Sequence, residues 1–153
     1  MNDNQMKLKN LLTENLSILD ASQSTLVRSF EKCKKIGIKQ SYSFEELESF
    51  DSLTSKYART SDIFTQKVLI TLFKLVREDA VTFLDRANLA EKLSLVTSAD
   101  DLITLRDLRN QIAHEYKQEK IEQLFEDVLG MIEQLVSCLE LTRKYISRLD
   151  KKV

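Results

Sequence analysis

In the stretch LRNQIAHEY, residues 108–116, an arginine stands five positions before the only histidine of the chain and a tyrosine stands two positions after it. Imidazole is the one side chain whose unperturbed pKa lies near neutrality, so His114 has the chemistry both to take and to return a proton. The guanidinium of Arg109 stays charged and offers a planar fork of donors matched to phosphate oxygens. Together they suit metal-free cleavage of RNA. A base removes the 2′-hydroxyl proton, the freed oxygen attacks the adjacent phosphorus, an acid protonates the leaving 5′-oxygen, and the guanidinium steadies the phosphoryl charge. One histidine per chain fills only one of the two proton-transfer roles.

Helix geometry adds a second difficulty. Five residues at 100° each put Arg109 and His114 about 140° apart around a regular helix, so they share no face. Arg109 and Tyr116 fall within about 20° of one another, and Arg106 lies one turn before Asn110. Either the helix distorts near His114 or the site draws on a second chain. A twofold homodimer would bring two histidines and two arginines around one cleft, one imidazole as base and the other as acid. Arg106 is placed to extend a basic cleft, or equally to pair with Asp101, Asp107 or Glu115. Arg59, Lys56 and Lys67 could track RNA backbone, although scattered cations usually solvate a helix face. Phe64, Phe73, Phe83 and Phe125 sit at core spacing and read as packing residues.

The elements that must position these residues are all helical. The chain has no proline and only Gly37 and Gly130, so the turns that sheets need have almost no dedicated residues. Leu8, Leu12, Leu16, Leu19, Leu26, Phe30 and Cys33 keep one apolar stripe, which predicts a long first helix ending at Gly37 with Lys34 and Lys35 in its last turn. Ser43 and Glu46 form a capping-box pattern that opens a second long helix, whose later stretch Val68–Val76 is apolar almost all round and should be central. A shorter helical pattern covers VTFLDRANLAEKLSLV, residues 81–96. Ser98 is the expected N-cap of the helix that holds Arg109 and His114, with Asp100 and Asp101 in its positive first turn. A final helix runs from about Ile121 through Leu149. These elements predict an all-α fold: one domain spanning residues 1–153, an antiparallel bundle of about five helices.

Composition narrows the function further. A net charge of −1 gives no long-range pull on nucleic acid, so any RNA contact needs a local basic groove. Cys33 and Cys138 are far apart and in no metal-like spacing, which reads as two thiols in a reducing compartment, the cytoplasm. The start lacks a signal-peptide pattern and VLITLF is far short of a membrane span. Two isolated glycines cannot build a phosphate-cradling loop, HEYKQ lacks the second histidine of a zinc protease, and no glycine-rich elbow exposes a nucleophilic serine. No cofactor and no metal are expected. The acidic cluster Glu45, Glu46, Glu48 and Asp51 is more simply a solvated, dipole-favoured helix start than a metal site.

The spacing of Arg109, four residues, His114, one residue and Tyr116, with Asn110 directly after the arginine, resembles the signature of HEPN toxins. The likeness is closest over residues 82–116, and the all-helical pattern agrees with it. It resembles the HepT branch, whose members are small helical homodimers encoded with an MNT-type nucleotidyltransferase antitoxin and act as metal-independent endoribonucleases. The resemblance implies that Arg109 and His114 are catalytic at the dimer cleft and that Asn110 orients or polarises the phosphate. It also implies that Tyr116 is the residue the antitoxin adenylylates, putting bulk and negative charge where an RNA phosphate would lie. The substrate would be tRNA or mRNA. The alternative is a non-catalytic helical partner of a nucleotidyltransferase, its substrate-binding subunit; a plain bundle scaffold would leave His114 without a role.

Overall fold

Local signals set most of the helix boundaries in the computed structural model, which describes residues 2–114 and 121–151. Helix α1 spans Asp3–Ile36; the Asn2 side chain accepts the Gln5 N–H at 2.8 Å and opens it. It stops where Gly37 takes φ 74°, a value cheap only for glycine, and donates its N–H to the Cys33 carbonyl. Helix α2, Phe44–Asp62, starts from the Ser43–Glu46 capping box. Glu46 also pairs with Lys39, so this acidic residue serves the helix end. Helix α5, Ala99–His114, begins with Ser98 Oγ accepting the Asp101 N–H at 3.0 Å. Helix α6 covers Ile121–Lys151.

The helical rod does not end with α2. It runs through a π-helical turn, Ile63–Val68, into α3, Leu69–Leu75, as one continuous rod. Thr65 Oγ1 donates to the Ser61 carbonyl at 2.9 Å. A hydroxyl on that carbonyl competes with the regular backbone bond four residues on and favours a widened turn. With α4, Phe83–Lys92, there are five helical rods, and no strand occurs among the described residues.

Two helix ends lack the glycine that would have marked them. The pattern expected to run helical to Val96 stops at Lys92, because Ser94 takes φ 60° and Leu95 donates back to the Ala90 carbonyl. Arg77 does the same after α3, with Glu78 donating to Phe73. Both are αL closures of the kind usually built with glycine, and a side chain there costs about 1–2 kcal/mol. The apolar residues beyond Ser94 still pack: Leu95 and Val96 are buried in the loop, and the Leu95 carbonyl accepts the Thr142 hydroxyl at 2.8 Å.

One hydrophobic cluster draws on every helix. Phe50 of α2 stacks on Phe125 of α6 with centroids 4.6 Å apart, and Phe64 and Phe73 are buried as their spacing predicts. Both cysteines are free and buried. No helix among the described residues is long and apolar enough to cross a membrane.

Candidate functional site: a basic groove beside Arg109

Buried Tyr57 of α2 donates its hydroxyl to the Leu105 carbonyl of α5 at 3.0 Å. That carbonyl lies one turn before Arg109, so the bond sets the height of α5 against α2 where the candidate site begins. Desolvation, with a smaller contribution from nearby Cys138, pushes the Tyr57 phenol well up from its ordinary value, and it remains a donor.

Arg109 leaves α5 toward the end of α2 and meets Asp62. Its Nε donates to one carboxylate oxygen at 2.7 Å and its Nη2 to the other at 2.8 Å, a two-point fork. These hydrogen bonds raise the guanidinium's pKa further above its already high value. Among the described residues two of its five N–H donors are engaged in this way.

The pair stands in a groove of about 940 Å³ between α5, the end of α2 and the π-helical turn, with Ile18 of α1 on its wall. Arg59, Lys67, Arg106 and Asn110 line it as well, so among the described residues four cations face a single carboxylate, and that carboxylate is already paired with Arg109. Arg106 lines the cleft and also forms a loose ion pair with Asp107. Its guanidinium carbon lies 4.1 Å from the Phe83 ring centroid, and its Nε is buried without a hydrogen-bond partner among the described residues. The nearest carboxylate oxygen, on Asp107, is 3.6 Å away, too long for a hydrogen bond. Phe83, expected only to pack, is half-buried against the core and also supports this cation.

Arg106, Arg109 and Asn110 therefore share one groove, while His114 does not join them. Helix α5 stays regular through His114, so the distortion that could have united Arg109 and His114 within one chain is absent, and the imidazole is exposed at the helix end on another face. Tyr116 and Glu115 lie outside the described residues. Of the further cations considered, Arg59 and Lys67 line the groove, and Lys56 lies just beyond it on the same rod.

Sequence reasoning did not single out Asp62. Its one signal is chemical: it is the only carboxylate between Asp51 and Glu78, on a rod whose neighbouring positions are apolar, hydroxyl or basic. Its partner is 47 residues away, and helical periodicity cannot supply that pairing. No family model, no curated protein and no solved structure matches this chain.

Proposed function

We propose that the chain is the toxin of a HEPN-type toxin–antitoxin pair: a metal-independent endoribonuclease that acts as a homodimer in the cytoplasm. In this reading one domain folded as an antiparallel bundle presents Arg109 and His114 to a twofold cleft. The cognate nucleotidyltransferase antitoxin silences it by binding, by adenylylating Tyr116, or both. The observation that supports this most is Arg109, held by a two-point fork in a groove where Arg59 and Lys67 form no ion pair among the described residues.

The separation of Arg109 and His114 on a regular helix fits the same reading. Cleavage by 2′-hydroxyl attack needs a base and an acid, and one chain holds one imidazole. Two copies meeting at the ends of their α5 helices would supply both. One imidazole takes the 2′-hydroxyl proton, the 2′-oxygen bonds to phosphorus, the bond to the 5′-oxygen breaks, and the other imidazolium protonates that leaving oxygen. The products are a 2′,3′-cyclic phosphate and a 5′-hydroxyl end. Arg109, Asn110 and Arg106 hold the phosphoryl oxygens as charge builds.

The test is expression and cleavage. Wild-type chain should arrest growth and cut RNA in EDTA, and Arg109→Ala or His114→Ala should abolish both, with His114→Ala melting as the wild type does and Arg109→Ala melting within about 2–4 °C of it. Arrest that persists in both variants would reject these assignments. Harmless expression with no cleavage would favour a non-catalytic partner of the transferase instead.

A further inference from the structure

Two more depressions adjoin the Arg109 groove along the seam between α1 and α2. The nearer, about 390 Å³, shares Ile18, Arg59 and Ile63 with the groove. The farther, about 290 Å³, shares Thr25 and Lys56 with the nearer one and adds Arg28 and Lys32. The three are thus consecutive stretches of one channel. Along α1 its positions are 18, 21, 22, 25, 28, 29 and 32, and along α2 they are 49, 52, 56, 59 and 63, so each helix lines it with one face at spacings of three and four. Helices facing each other at this period usually close the seam with apolar side chains. Here most of the facing residues are small hydroxyls or cations, and Ser22 and Thr60 bond to each other at 2.7 Å beneath them. Small residues leave the seam open as a trough.

Charge is sorted along this trough. No carboxylate lines either outer depression, and none of Arg28, Lys32, Lys56, Arg59 or Lys67 forms an ion pair among the described residues. A chain with 23 basic and 24 acidic residues would mix the two on an ordinary solvated face. Hydroxyls and flexible cations are the groups that bind phosphate oxygens without regard to base. Between the charged ends, Ile18, Ala21 and Ile63 form an apolar stretch suited to an unstacked base. From Ser49 to Lys67 the trough follows about 27 Å of helix, long enough for several consecutive phosphates.

We infer that the α1–α2 seam is a binding track for the backbone of single-stranded RNA and leads the strand into the Arg109 groove. The track rests on the ribonuclease reading, because it deepens the same site. It makes Arg28, Lys32 and Lys56 contacts to phosphates remote from the scissile one.

Salt dependence tests it. Binding of a labelled oligouridine is measured against salt concentration on the His114→Ala chain, which should not cut the probe. Each phosphate contact on a single strand contributes about 0.7 to the slope of log affinity against log salt. Arg28→Gln, Lys32→Gln and Lys56→Gln together should flatten that slope by about 2. Lys92→Gln, Lys144→Gln and Arg148→Gln together remove the same charge from positions outside the trough and should leave the slope alone. Glutamine is a good helix former, and a matching thermal melt confirms that each variant folds. Equal slopes for the two triple variants, or an equally good competitor in a duplex of the same length, would overturn the track. If RNA binds and is cut by the wild type with the slope unaltered, the track alone falls. If no RNA binds at all, the ribonuclease reading falls with it.

Discussion

Replacing Asp62 with alanine separates positioning from stability. The pair it forms with Arg109 is bidentate, at 2.7 and 2.8 Å, with the side chains 29% and 41% exposed for arginine and aspartate. Solvent screens charges at that exposure, so the loss to folding should be about 1 kcal/mol. That corresponds to about 2–4 °C in melting temperature for a chain of this size. The effect on catalysis should be far larger. Without the fork the guanidinium swings on a flexible stem, and a displacement of about an ångström in a group that meets the transition state costs about 100-fold in rate. Asp62→Asn keeps one acceptor oxygen for the two donors and should fall between. Arg109→Lys keeps the charge but not the planar fork, and should lose as much as Asp62→Ala. The assay is RNA cleavage beside a thermal melt on the same preparations. Cleavage by Asp62→Ala within about twofold of wild type, or above it, would refute the view that the carboxylate orients Arg109 for work on a phosphate.

Two further outcomes follow from the packing. Because burial raises the Tyr57 phenol pKa above the ordinary value of about 10, the native chain holds its proton where the unfolded chain has lost it. Its contribution to stability is therefore intact below about pH 10 and lost as pH rises beyond it. Tyr57→Phe should cost about 1 kcal/mol at neutral pH and flatten the alkaline limb of a denaturation series; an unchanged limb would contradict it. Ser94→Gly should stabilise the chain by about 1 kcal/mol, relieving a side chain held at φ 60°, and a lower melting temperature would show the closure to be unstrained.

Much of the fold was legible because its signals are local. The Ser43–Glu46 box, Ser98 as a cap and Gly37 as a stop each act within a few residues of the boundary they set. The apolar stripes likewise place the core on the correct faces. Where a boundary relied on an unusual residue, the pattern misled: Ser94 closes α4 without glycine, and Leu95 and Val96 continue the hydrophobic period after the helix has gone. The π-helical turn was illegible for a related reason, since Thr65 bonding to Ser61 is a choice among backbone patterns that composition does not announce.

The candidate site divides along the same line. Arg106, Arg109 and Asn110 are close in sequence, and spacing alone could group them. Asp62, Arg59 and Lys67 join them only because Tyr57 and the surrounding core press α2 against α5. The regularity of α5 removes a bent helix as the way to unite an arginine and an imidazole about 140° apart.

The most direct measurement is cleavage by mixtures of wild-type chain and His114→Ala chain, co-refolded so that the copies exchange freely. If one scissile phosphate needs an imidazole from each of two copies, only wild-type pairs are active, and an equal mixture retains about a quarter of the wild-type rate, falling with the square of the wild-type fraction. A rate that falls in simple proportion, to about a half in the equal mixture, would mean that each copy works alone and would contradict the shared two-copy site.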